Sequence, residues 1–301
     1  MAELGLYLNN GLRQDVAAGR HNFFKILSQT FESQGFKVYL FENTEAERIA
    51  SVDRDGYSLF HLENPFHDRA LDVRLAYMYP FWRIEKAQWR EEFRVARAAF
   101  DPSKINDEAA LKFWRFWRRK LLPDLPPRDP AIGTVLIALQ GRLDELRHGQ
   151  TMTPIEMIRE TLAQDGLRQI VIKLHPKEKY TEAELDLLEE FHDLDRVTFS
   201  GDDLPQLLNR ADYVVTQNSS VAFKGLLQNV PAILFGAADF HHIFQNVNTE
   251  GAARAFRNVT SMKLPAAKYF YWFLQENCIN AGRKDAGERI LANCRDLGWQ
   301  V

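Results

Sequence analysis

From Thr134 onward, short apolar runs alternate with capped helical stretches, and this alternation restricts the fold more than any other feature. Thr134–Leu139, Gln169–Leu174, Arg196–Phe199, Tyr213–Thr216 and Pro231–Phe235 are brief, mostly rich in branched residues, and too short to be helices. Between them stand two capping boxes, Thr153-Pro154-Ile155-Glu156 and Thr181-Glu182-Ala183-Glu184. The first carries proline at the first helical position. They open helices that run to about Gln164 and His192; Leu204–Arg210 and Ser220–Gln228 are shorter ones. Buried strands separated by helices pair in parallel, because each crossover returns the chain to the same end of the sheet. The pattern predicts a doubly wound α/β domain.

The first half is less regular. Leu4–Asn9 is a strand candidate. Phe23, Phe24, Ile26, Leu27 and Phe31 follow at helical spacing, Gly35 stops the helix, and Phe36–Phe41 is the next strand, completing a β-α-β unit. Glu45–Ala50 is expected to be a short helix and Ser58–Leu62 a third strand. The aromatic and arginine-rich stretch His67–Leu122 is expected to form two or three helices, broken at Pro80 and at Asp101-Pro102. Pro123–Pro130 holds four prolines in eight residues and is the natural linker. Two domains follow, 1–125 and 131–301, with a helical segment from Pro265 that packs back on the first.

Composition narrows the function. The 38 Lys and Arg stand against 41 Asp and Glu, which removes the overall basic balance of a nucleic-acid binder. Cys278 and Cys294 have no CxxC partner and fit a reducing compartment. The start, Met1-Ala2-Glu3-Leu4-Gly5, lacks a basic region, and no apolar stretch is long enough to span a bilayer, so a cytoplasmic protein is expected.

In open parallel sheets ligands bind beyond the carboxyl ends of the strands. In the second half those ends are followed by Gln140-Gly141-Arg142-Leu143-Asp144, by His175-Pro176 with Lys173 before it, by Ser200-Gly201-Asp202, by Gln217-Asn218-Ser219-Ser220, and by Gly236. Ser219 is a fitting N-cap, and hydroxyls at a helix start suit a phosphate. His175 can donate to the same phosphate or act as an acid. Lys173 lies on the same side of its strand as His175. Asp144 is a candidate general base or nucleophile, or an ordinary surface acid. His241 and His242 are adjacent and make a poor metal pair. No HExxH, phosphate-binding loop, GxSxG or GxGxxG motif occurs. Lys112-Phe-Trp-Arg-Phe-Trp-Arg-Arg-Lys120 mixes bases with aromatics. It is either a core helix with a charged outer face or a surface for an anionic glycan or membrane.

Lys173-Leu174-His175-Pro176, then Thr216–Leu227 with its Ser219-Ser220 pair, then Val230–Gly236, resemble the bacterial capsule polysaccharide biosynthesis and export proteins. These are similar to Kdo transferases and, more distantly, to bacterial sialyltransferases. The likeness covers about Thr134 to Asn280 and includes Lys268–Leu274. It implies the GT-B architecture, two Rossmann-like domains facing a cleft, with the first domain on the acceptor side and the second holding a nucleotide-sugar donor. It further implies that His175 and the Ser219-Ser220 turn hold the donor phosphate, that Gln140, Lys173, Pro176, Asn218 and Lys224 line the donor site, and that Asp144 with His175 is catalytic.

The reading is a glycosyltransferase of capsule or surface polysaccharide synthesis that transfers a sugar acid, with Kdo expected, from a CMP-activated donor. No metal and no cofactor beyond that donor are expected. The partners are the nucleotide-sugar donor and a glycan or glycolipid acceptor, with peripheral contact at the inner membrane and no nucleic acid. Two alternatives stand beside it. One is a sugar-nucleotide epimerase or a UDP- or GDP-sugar transferase on the same fold. The other is a non-catalytic glycan-binding or assembly subunit.

Overall fold

The computed structural model describes residues 2–126, 128 and 133–301. The chain divides into two compact units, one of residues up to Ala98 together with Phe273–Val301, the other of Ala99–Trp272. Each is built on a six-stranded sheet.

In the first unit, β1 (Glu3–Leu8), β2 (Lys37–Glu42), β3 (Tyr57–His61) and β4 (Ala70–Leu75) run parallel in the order β2-β1-β3-β4. β5 (Phe81–Glu85) is antiparallel to β4. One face of the sheet is buried against the helix Asn22–Ser33, whose Phe23, Phe24, Leu27 and Phe31 sit at helical spacing and pack on Leu6, Leu59 and Val73. The helix Asn10–Ala17, with no buried residue, carried no apolar periodicity to announce it.

β4 and β5 replace the helices expected after His67. Leu71, Val73, Trp82 and Ile84 face the apolar core, while the alternate residues Asp72, Arg74, Arg83 and Glu85 face the other way. These charges read as a helix's polar face, yet they are 0%, 7%, 3% and 3% exposed. They form a buried ionic quartet across the two strands, with Asp72 opposite Glu85 and Arg74 opposite Arg83. Arg74 pairs with Asp72 and lies 4.9 Å from the centre of the Phe93 ring. Arg83 stands 3.8 Å from Glu85 and 4.4 Å from the centre of the Phe273 ring. Burial nevertheless pushes the Asp72 carboxyl up to about 6, outweighing the pull of Arg74.

The second unit carries β6 (Thr134–Ala138), β7 (Gln169–Lys173), β8 (Val197–Phe199), β9 (Tyr213–Thr216), β10 (Ala232–Leu234) and β11 (Gln245–Asn246), all parallel. The order β8-β7-β6-β9-β10-β11 is doubly wound, and its switch point lies between β6 and β9. Both capping boxes are formed, at Thr153–Glu156 and at Thr181–Glu184. Opposite the ligand rim, Asp165 accepts from Tyr213 and Arg168, and Arg168 also holds Asp212.

The expected boundary at 125–131 lies elsewhere in the contacts. The helix Asp107–Leu121 sits with the second unit, where Trp114 donates to the Leu226 carbonyl at 2.9 Å. Part of the predicted linker, Pro127, Asp129 and Pro130, lies outside the described residues. Arg128 is described, and it is anchored on the Ala211 and Asp212 carbonyls at 2.6 and 2.9 Å. Beyond a helix at Ala266–Tyr271 and a π-helical turn at Trp272–Glu276, the chain returns to the first unit. There β12 (Ile279–Asn280) pairs with β5, and the helix Ala286–Asp296 places Ile290, Leu291 and Cys294 in the core. Of the segment expected to return from Pro265, the part up to Trp272 stays with the second unit, and Phe273–Val301 packs on the first.

Candidate functional site

A cavity of about 300 Å³ opens at the switch point of the second sheet. It is lined by Ala138 and Leu139 after β6, by Lys173, His175, Pro176 and Lys177 around the end of β7, and by Ser219, Ser220 and Lys224 after β9. The floor is laced by Thr216, whose hydroxyl donates to the Ala138 carbonyl at 2.9 Å. β9 then turns sharply. Gly236 brings its backbone N–H to the Gln217 carbonyl at 2.8 Å, where an added Cβ would lie 3.2 Å from that oxygen.

The turn after β7 orients the histidine. Tyr180 accepts the His175 backbone N–H at 2.9 Å, and the Lys177 backbone N–H donates to His175 Nδ1 at 3.3 Å. With Nδ1 accepting, a neutral imidazole carries its hydrogen on Nε2, free to donate. After β9, Ser219 caps the helix Ser220–Gly225 by accepting from the Val221 N–H at 3.3 Å. That helix has only six residues, so charge stabilisation rests on side chains more than on its dipole. Lys224 follows Ser220 by four residues, on the same helix face. Surrounding protein and the like charge of Lys177 both draw the Lys224 amine below the ordinary lysine range. Lys173 is committed in part, donating to the Asp202 carbonyl at 2.7 Å.

The other predicted residues fall around this rim. Asn218 donates to the Ala237 carbonyl at 3.2 Å and shapes the turn. Gln140 accepts from Arg147 at 3.4 Å. Asp144 is exposed in the turn after β6 and is not among the cavity's lining residues. The loop bearing both is pinned at its middle, where the capping-box carboxylate Glu184 also accepts the Leu143 N–H at 2.9 Å. Its far end bridges to Gly236, and the Ala237 N–H donates to the Gly149 carbonyl at 2.8 Å. His241 and His242 stack 4.3 Å apart and direct Nδ1 to the Ala238 carbonyl and the Tyr269 hydroxyl, at 2.8 and 2.9 Å. Among the described residues no group of three or more His, Cys, Asp or Glu is placed to hold a metal ion.

Two residues escaped the sequence reading, one in the cavity lining and one in the neighbouring loop, off that lining. Lys177 lines the cavity, and its position directly after His175-Pro176 was the available signal. Arg147 stands in an ordinary charged loop and gave none. Its Nε is buried without a hydrogen-bond partner among the described residues. Burial lowers its guanidinium's proton affinity, while Glu178 and Glu145 act against that.

A model of the capsule polysaccharide biosynthesis protein family matches residues 147–277. Among solved structures, the β-Kdo 2,7-transferase of KpsC from Thermosulfurimonas dismutans superposes with a TM-score of 0.55 at 13% identity, covering 90% of this chain and 89% of that one. The β-Kdo 2,4-transferase of KpsC from the same organism gives 0.50 at 12% identity, covering 89% and 88%. No curated protein sequence matches. The family resemblance read from the motifs is borne out over residues 147–277, and so is the fold class: an α/β chain of two sheet-based domains, the first on a mixed sheet and the second on a parallel one.

Proposed function

We propose that the chain is a glycosyltransferase of capsule polysaccharide synthesis that takes a CMP-activated sugar acid, Kdo in the first instance, and passes it to a glycan or glycolipid. The family match supports the capsule setting, and the Kdo-transferase neighbours support the fold on which such chemistry runs. The observation that carries the donor reading is the convergence of His175, Ser219, Ser220, Lys177 and Lys224 on one small cavity at the switch point.

In the proposed reaction an acceptor hydroxyl attacks the anomeric carbon of the sugar acid. The bond from that carbon to the phosphate oxygen of CMP breaks as the new glycosidic bond forms. Charge grows on the departing phosphate, where the Nε2–H of His175, the serine hydroxyls and the ammonium groups of Lys177 and Lys224 meet it. Donors preset for a charge that appears only in the transition state lower the barrier more than they tighten binding. These cations suffice for a single phosphate, and no cofactor beyond the donor is proposed. Asp144 is assigned the acceptor proton. Arg147, held by Gln140 in the loop beside the cavity, is assigned the donor's carboxylate.

Calorimetric titration with CMP, UDP and GDP tests the donor assignment. Preference for CMP is expected. Preference for UDP or GDP would favour an epimerase or another sugar-nucleotide transferase, and indifference to all three a non-catalytic subunit. No helix among the described residues is long and apolar enough to cross a membrane.

A further inference from the structure

The helix Asp107–Leu121 has two faces of unlike chemistry. Its inner face holds it to the second unit. Ala110 and Trp117 are buried, Phe113 packs 5.8 Å from Phe270 and 5.5 Å from Tyr271 (ring centres), and Asp107 pairs with Lys268 at 2.8 Å. The tryptophans of this segment therefore serve packing. The outer face carries Lys112, Arg115, Phe116, Arg119 and Lys120 at helical spacing, all exposed, with exposed Leu111 on the other flank of the cations. Phe116 is 48% exposed and Leu111 38%.

None of Lys112, Arg115, Arg118 and Arg119 makes an ion pair or side-chain hydrogen bond among the described residues. No acid occurs in the sequence between Glu108 and Asp124. The cations thus form a local field on a chain whose net charge is −3. Five of them, from Lys112 to Lys120, lie within about two and a half turns of helix, and large apolar side chains stand among them.

We infer that this outer face docks on an anionic lipid surface. The helix would lie in the plane of the interface, with the cations meeting lipid phosphates and Phe116 and Leu111, one on each side of them, entering the headgroup boundary. A convex helix face suits a bilayer. A soluble anionic polymer would use the cations and leave Phe116 and Leu111 in water. The inference stands apart from the donor cavity, since none of these residues lines it.

The test is flotation of the full chain with vesicles of phosphatidylcholine alone or with about a third phosphatidylglycerol, at low and high salt. Binding is expected only to the anionic vesicles and is expected to fade at high salt. The variant Lys112→Gln, Arg115→Gln, Arg119→Gln should lose about a hundredfold in vesicle affinity. Phe116→Ser should weaken binding several-fold at unchanged charge. Both should keep the parent's melting temperature and CMP affinity. Absence of vesicle binding in the parent, or equal binding to neutral vesicles, would overturn the inference. So would a Phe116→Ser variant that binds vesicles and a soluble polyanion as the parent does, which would mark a polyanion site.

Discussion

Replacing His175 by alanine isolates one donor in the cavity. Among the described residues the side chain has one hydrogen bond, from the Lys177 N–H to Nδ1 at 3.3 Å, whereas Tyr180 binds the backbone and survives the change. Loss of that long bond, at a half-buried position, costs the fold no more than about 1 kcal/mol. Loss of the Nε2–H is felt elsewhere. A donor aimed at charge developing on a leaving phosphate is worth about 3–4 kcal/mol, so turnover should fall by about 10²–10³. Binding of CMP itself should weaken less, because much of the interaction belongs to the transition state. Ser219→Ala with Ser220→Ala should lower turnover comparably, at an added cost of about 1 kcal/mol in stability from the lost N-cap. Asp144→Asn should reduce turnover and spare CMP affinity, since the residue lies off the cavity lining. The assay is transfer from a CMP-sugar acid, paired with calorimetry on CMP and a thermal melt. Near-normal turnover in both the histidine and the double serine variants would place the donor phosphate elsewhere and sink the reasoning.

Arg147→Gln should raise KM for the CMP-sugar acid about 10- to 100-fold while leaving CMP affinity unchanged, because only the sugar carries the carboxylate; a parallel loss for CMP would assign Arg147 to the phosphate instead. In the first unit, His61 is held at about 4, by burial and then by Arg74 and His21, while Asp72 is raised by burial to about 6. A histidine depressed on folding loses stability as pH falls from about 6.5 toward 4, and a raised aspartate gains it over pH 6 to 4, each by about 3 kcal/mol. His21 and His67 are depressed by burial as well and add to the loss, so the His61 share is read by difference: in urea melts from pH 6.5 to 4.5, His61→Gln should gain stability relative to the parent on acidification, and matching slopes in the two proteins would refute the assignment.

Legibility followed the range of the forces involved. Strands β6 to β10 of the second unit and both capping boxes lie close to where they were expected, because an apolar run and a Thr-x-x-Glu turn are decided by their own few residues; the two-residue β11, which has no apolar run, was missed. β4 and β5 were hidden, because what makes them strands is distant. Asp72, Arg74, Arg83 and Glu85 are buried against one another and against groups such as Phe93, Arg94 and Phe273. The same holds for the helix Asp107–Leu121, assigned to its unit by contacts with residues more than a hundred positions away.

At the site, position along a strand was enough to find part of the answer and not the rest. A residue that ends a parallel strand is delivered to the ligand rim by topology alone, which is why Lys173, His175, Ser219 and Ser220 meet at one cavity although forty-odd residues separate the two groups. Loop residues have no such address. Gln140 and Arg147 are joined by a hydrogen bond that the sequence spacing does not announce, and their loop is set by Glu184, whose carboxylate closes a helix cap and accepts from Leu143 in the same stroke. Backbone donors lower the proton affinity of that carboxylate, so it stays charged and keeps both duties at neutral pH. Under the proposed assignment, the side given to the phosphate stands on rigid strand ends, while the side given to the sugar stands on a pinned loop. Variation among donors that share a nucleotide should therefore be written in residues 140–150 rather than at His175 or Ser219.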